Sequence, residues 1–154
     1  MTKPLLTYAP RTKTVAAMAR IDLEKHYAAP PARVWRALTD AEAVSTWLMP
    51  SDIRPIVGHE FTFQSKPYPG FDGTVRCRVL EVVPEQVLAY TWSGGSLRDT
   101  VVRFELRPTG TVTRLTFSHT GFEGLLNSLL VRRILATGWR GELLGKRLPQ
   151  YLRA

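Results

Sequence analysis

With 154 residues, 44% of them hydrophobic, the chain is long enough to bury a sizeable core and is expected to form one domain with no second one. Its one cysteine, Cys77, excludes an internal disulfide, and no Cys/His spacing suits a metal, so no cofactor or metal is called for and a reducing, cytoplasmic setting is expected. The apolar runs near Val79–Val83 and Leu125–Leu130 fall far short of the ~20 residues of a membrane span, while the net charge of +8 is spread over single basic residues, which reads as a solvated surface and specifies no nucleic acid.

Residues 1–19 carry Lys3, Arg11 and Lys13, no acidic residue, and the prolines Pro4 and Pro10. They read as a flexible basic arm, dispensable for folding, with Met18 as an alternative start. Their composition has a loose likeness to a transit peptide but lacks its Ser/Arg richness and amphipathic period. Residues 20–154 form the domain. Ile21, Leu23 and Tyr27 alternate with Asp22, Glu24 and His26, the period-two pattern of a half-buried strand. Pro30-Pro31 stops that strand, and Pro31 suits the first turn of a short helix carrying Val34, Trp35 and Leu38. Thr39 to Glu42 reads as a capping box opening a second short helix through Val44, Trp47 and Leu48. Both helices must lean on a sheet to be stable.

Beyond Pro50 the chain alternates as strands. The inward sets are Phe61 and Phe63; Val75, Cys77 and Val79; Leu88, Tyr90 and Trp92; Val102, Phe104 and Leu106; and Leu115, Phe117 and His119. Turns at Pro84-Glu85, Ser93 to Ser96 and Pro108 to Gly110 join them into an antiparallel meander. The unbroken apolar run Val79–Val83 predicts a bulge that bends the sheet. After Phe122 the chain turns helical, with Leu126, Leu130, Ile134, Leu144, Leu148 and Leu152 within one stripe at ~100° per residue, expected to face the sheet. Trp139 and Leu143 fall off that stripe, so either the helix bends near Gly138 or its other side is also covered. The fold class is α+β, a curved antiparallel six-stranded sheet around a long C-terminal helix, with two short helices after the first strand.

The residues in that order resemble a known family. Ala29-Pro30-Pro31-Ala32-Arg33-Val34-Trp35-Arg36-Ala37-Leu38-Thr39-Asp40, ending in Trp47, resembles the opening of the SRPBCC, or START-like, superfamily. The nearest group is the one named for homology to an activator of the ninety-kilodalton heat-shock chaperone's ATPase. The likeness continues through Val79–Pro84, Leu88–Trp92, Thr113–Phe122 and Gly138–Leu152. It implies the helix-grip fold, with a cavity between sheet and C-terminal helix. For function, the resemblance leaves three classes open: binding of a lipid-like or aromatic apolar molecule, a polyketide cyclase-like or hydrolase-like enzyme, and a chaperone-interacting stress-response regulator. The first is preferred, and the pattern specifies no oligomeric state.

Candidate chemistry is sparse. His119 shares the parity of Leu115 and Phe117, so its imidazole points inward, as a general base, a ligand hydrogen-bonding group or a histidine satisfied by backbone. Lys25 shares the parity of Leu23 and Tyr27, and either loses its charge inside and serves as a base or nucleophile or snorkels out at the sheet edge. Glu81, a third candidate catalytic group, sits in the bulged run that scrambles parity; if it points inward, a structural ion pair with Lys25 or an arginine is the expected role. Cys77 reads as an inert core thiol, and His26 and His59 as surface residues. Tyr27, Phe61, Phe63, Tyr90, Trp92, Phe104, Phe117, His119 and Trp139 converge on the concave face, where they either line a ligand pocket or fill it.

Overall fold

The computed structural model describes residues 20–122 and 125–153, with the side chains of 125–128 outside that set. The arm expected over 1–19 lies outside these residues. Strand β1, Ile21–Tyr27, buries Ile21, Leu23 and Tyr27 and exposes Asp22, Glu24 and His26, as its alternation requires. Pro31 then opens helix α1, Pro31–Thr39, which buries Val34, Ala37 and Leu38. Helix α2, Ala41–Trp47, starts one residue later than the expected capping box. Its cap is Asp40, whose carboxylate accepts from the Ala43 N–H at 3.0 Å, while Thr39 donates its hydroxyl back to the Trp35 carbonyl and closes α1. The Trp47 indole N–H donates to the Ala37 carbonyl at 2.7 Å and locks the two short helices together.

Five further strands follow: β2 Glu60–Gln64, β3 Thr74–Val83, β4 Val87–Gly94, β5 Leu97–Thr109 and β6 Val112–Thr120. The sheet runs β1-β6-β5-β4-β3-β2 with every neighbouring pair antiparallel, so the first strand closes beside the last of the meander. The register slips between Val79 and Glu81, the bulge expected from the apolar run, and again between Trp92 and Gly94. At the tight turns, Glu85, Gly95 and Gly110 take positive φ.

The C-terminal helix lies against the concave face in the helix-grip arrangement, but the expected stripe faces inward only in its second half, at Leu144, Leu148 and Leu152. It comprises α3, Leu125–Thr137, a ten-residue π-helical segment, Gly138–Arg147, and α4, Leu148–Arg153. Leu130 and Ile134 are 61% and 62% exposed, whereas Trp139, Leu144, Leu148 and Leu152 are buried. The inward residues are spaced five apart through the π segment and four apart after it. An i→i+5 winding rotates the helix face relative to an α-helical projection, which brings Trp139 inward and turns Leu130 and Ile134 out, while the side chain of Leu126, also expected inward, lies outside the described set.

The π segment has an identifiable end. The Leu148 N–H bonds to the Leu143 carbonyl, and Pro149 has no N–H to offer, so the Leu144 carbonyl lacks both its α and its π partner. The Tyr27 hydroxyl supplies the missing donor, at 2.7 Å in the buried core. Gly145 belongs to the same device, because a Cβ there would collide with the Arg140 backbone oxygen.

Candidate ligand-binding site

The inward rings of the sheet pack mainly on one another. Phe61 meets Phe63 edge-on at 5.5 Å and Tyr90 at 5.1 Å, Phe104 lies 5.2 Å from Phe117, and Phe117 lies 4.5 Å from Trp139. These are ordinary aromatic packing distances. Phe61, Phe63, Tyr90, Phe104, Phe117 and Trp139 therefore fill the space between sheet and helix. Tyr27 stands apart from this file, bonded to the Leu144 carbonyl.

Trp92 is different, because it both joins the file and borders open space. A half-open apolar pocket of about 490 Å³ lies between the sheet and α3. Phe71, Val75, Trp92 and Leu97 form its sheet side, and Val131, Ile134 and Leu135 its helix side, with Met49 and Tyr68 at the rim. The register slip beside Trp92 and the hairpin glycines Gly94 and Gly95 shape this end of the sheet. A larger groove of about 640 Å³ lies on the outer face among Arg76, Arg78, Thr91 and Asp99, with Phe61, Cys77 and Leu80 also in its lining; it is more open than the pocket beside Trp92.

Behind Trp92 sits a buried polar chain. His119 has no exposed surface, and its Nε2 lies 2.8 Å from Thr100 Oγ1, which in turn donates to the Trp92 carbonyl at 2.6 Å. Burial drives the His119 pKa down to about 3, so the imidazole is neutral at any physiological pH. Its ring neighbours are Phe122 at 4.8 Å, Trp92 at 5.6 Å and Trp139 at 6.5 Å.

The other candidate polar residues are not gathered here. Lys25 pairs with Leu115 while His119 pairs with Ile21, which separates them by roughly 13 Å along the strands. The Lys25 side chain is half-buried, and its Nζ would lie 3.5 Å from a Cβ placed on Gly145. Glu81 faces outward and accepts from Arg103 at 2.7 Å, with Glu105 on the same guanidinium at 2.9 Å. The ion pair considered for an inward-facing Glu81 thus forms on the outer side, with Arg103 as its partner. Cys77 is buried, and burial pushes its thiol pKa up, which makes it a poor nucleophile. His26 is exposed, and His59 stacks on Phe61 and lies 3.2 Å from the Asp52 carbonyl. Among the described residues no cluster of three His, Cys, Asp or Glu side chains is placed to hold a metal, and no helix is long and apolar enough to cross a membrane.

The pocket residues Met49, Phe71, Val131 and Leu135, and the His119 partner Thr100, were not picked out by alternation or stripe. Phe71 follows Pro67-Tyr68-Pro69-Gly70, and an aromatic ring on such a rigid turn is the one signal that could have drawn attention to it.

Comparison with solved structures finds this fold in protein MLL2253 from Mesorhizobium loti, at 31% identity and TM-score 0.76, covering 87% of this chain and 96% of that one. It is found too in protein BH1534 from Bacillus halodurans, at 26% identity and TM-score 0.73, covering 86% and 96%. A third likeness is to DynU16, a protein of the dynemicin biosynthetic locus, at 24% identity and TM-score 0.73, covering 88% of this chain and 48% of that one. Comparison with curated proteins finds no match. The family described as Activator of Hsp90 ATPase homolog 1-like protein matches residues 28–153, nearly all of the described domain, and the chain belongs to that family.

Proposed function

We propose that this protein binds an apolar small molecule in the pocket between the sheet and α3. The observation that carries the reading is the pocket itself: about 490 Å³, apolar, half-open, and bordered by Trp92 on one side and Val131 and Leu135 on the other. That volume lies within the range of small-molecule sites and fits a guest of two or three rings. Removing ~200 Å² of apolar ligand surface from water is worth about 5 kcal/mol before association costs, enough for useful affinity when the pocket is preformed. The dispersal of Lys25, Glu81 and His119 over three separate environments favours binding over acid–base catalysis.

One observation favours a protein partner as a second reading. Tyr68 and Ile134, 66% and 62% exposed, stand at the pocket rim, and Leu130 lies one helical turn before Ile134. An exposed apolar rim of this kind also suits protein contact, as the chaperone named in the family description would require.

The deciding experiment is a thermal-shift screen of fatty acids, sterols, flavonoids and polyketide-like aromatics. A ligand that binds only the native state raises the melting temperature by mass action. Trp92→Ala should weaken the response, measured on protein shown to be folded, and Arg107→Ala on the exposed strand end should not. If no compound moves the transition, the ligand reading fails and the protein-partner reading takes its place.

A further inference from the structure

The mouth of the pocket beside Trp92 differs from the rest of the surface in both polarity and charge. Among the described residues, no charged one lines the pocket. At its rim Tyr68 and Ile134 stand exposed, and Leu130, also exposed, lies one turn before Ile134 on the same face of α3. Tyr68 is held outward by a rigid turn. Pro67 and Pro69 flank it, Gly70 takes a positive φ, and the Tyr68 and Phe71 rings lie 5.1 Å apart. The Tyr68 N–H donates to the Phe71 carbonyl at 2.9 Å, and the Phe71 N–H donates back to the Tyr68 carbonyl at 2.8 Å.

Around this apolar patch the uncompensated charge has one sign. Lys66, Arg98 and Arg133 are exposed, and each is next in sequence to a residue that lines the pocket: Ser65, Leu97 and Ile134. None of the three is ion-paired among the described residues. Asp72, which follows the lining residue Phe71, is tied to Arg76 at 3.2 Å, and Asp99 lines the outer groove instead. On the outer face of the sheet, by contrast, Arg78 pairs with Glu60, and Arg103 with Glu81 and Glu105.

On the reading that the pocket takes an apolar guest, we infer that its mouth docks on an anionic lipid bilayer. Tyr68, Leu130 and Ile134 enter the headgroup boundary, and Lys66, Arg98 and Arg133 meet the lipid phosphates. Exposed apolar side chains flanked by bases bind such a surface because the apolar groups leave water while the cations meet a negative potential. Tyrosine suits the headgroup level, with its ring in the apolar boundary and its hydroxyl in water. An acidic protein would answer the three charges but would also have to bring apolar surface to the same place. A bilayer offers both, and it is where a sparingly soluble guest is concentrated. A guest leaving the bilayer then enters the pocket without crossing water.

The test is co-sedimentation of the full chain with sucrose-loaded vesicles, of phosphatidylcholine alone or with one-third phosphatidylglycerol. Partitioning should be at least tenfold stronger onto the anionic vesicles, and raising salt to about 0.5 M should remove most of that gain. Arg98→Gln combined with Arg133→Gln should weaken it about twenty-five-fold, fivefold for each charge. Leu130→Glu should weaken it at least tenfold, whereas Ile56→Glu, the same charge change at another exposed apolar site, should cost threefold at most. Far-ultraviolet dichroism checks that each variant is folded, and Tyr68→Ser, with the same loss expected, replaces Leu130→Glu if that one is not. Equal sedimentation with both vesicles, none with either, or equal losses in Ile56→Glu and Leu130→Glu overturns the docking. Binding to polyglutamate in place of vesicles gives the face to an acidic protein and overturns it too. Titration with N-phenyl-1-naphthylamine in the absence of vesicles judges the pocket separately. Saturable probe binding without vesicle binding removes the docking and keeps the pocket; vesicle binding without probe binding keeps the docking and removes the guest.

Discussion

Replacing Tyr27 with Phe removes one oxygen and keeps the ring, which isolates the contact that ends the π segment. The lost bond is 2.7 Å long, buried, and the donor left to a carbonyl whose α and π partners are both missing. Burial raises the Tyr27 pKa, so the hydroxyl remains a donor throughout the accessible pH range. Stranding a buried acceptor costs about 1–3 kcal/mol. At this chain length that lowers the melting temperature by roughly 3–10 °C. Urea denaturation should show a lower midpoint with an unchanged m-value. Pro149→Ala supplies the refutable half of the argument, because it restores an N–H five residues after Leu144. In the Tyr27→Phe background it should recover more than half of the loss, a coupling that independent sites would not show. A Tyr27→Phe protein within 1 °C of wild type would refute the reasoning, since Leu144 would then have another donor.

Two further predictions concern the same interior. His119 titrates near 6.5 in the unfolded chain and near 3 when folded, so the unfolded state binds the extra proton between those values. Stability therefore falls as pH drops through that window, by about 1.4 kcal/mol per unit from this group. His119→Phe lacks the term, and the wild-type-minus-variant stability should fall between pH 6.5 and 4; a flat difference contradicts the buried neutral imidazole. Gly145→Ala discriminates the helix type by sign. In an α-helix the change stabilises by about 1 kcal/mol, whereas in the π turn the new Cβ meets the Arg140 backbone oxygen and should cost about 1–3 kcal/mol in chemical denaturation.

The strands were legible where they alternate between a buried and a wetter face: Ile21–Tyr27, Glu60–Gln64 and Val112–Thr120 keep parity from end to end. Glu81 was not, because the bulge beside it resets parity; its outward orientation emerges only with Arg103 across the sheet. The C-terminal helix was legible as an element but not as a face. A 100° projection carried across Gly138–Arg147 accumulates the error of every π turn, so Leu130 and Ile134 were placed inward and Trp139 off the stripe. The cap of α2 moved from Thr39 to Asp40 because both residues can cap, and the choice depends on where the preceding helix ends. Of the nine residues expected at a ligand site, Trp92 is among those bordering the inner pocket, and the others are packed ring on ring or, for Tyr27, spent on a hydrogen bond. Which rings border a void is decided by the loop around Phe71 and by the rotation of α3, neither of which leaves a periodic trace.

The central claim is that the space between Trp92 and α3 holds an apolar guest. Titration with the neutral fluorophore N-phenyl-1-naphthylamine tests it most directly, read as energy transfer from tryptophan to the bound probe. Saturable binding at one probe per chain is predicted, with affinity weakened in Trp92→Ala. Val131→Trp, which fills the pocket from the half-buried face of α3, should abolish binding while the far-ultraviolet dichroism stays native. Absence of saturable binding to the wild-type protein, or equal affinity in the folded Val131→Trp variant, would contradict the account.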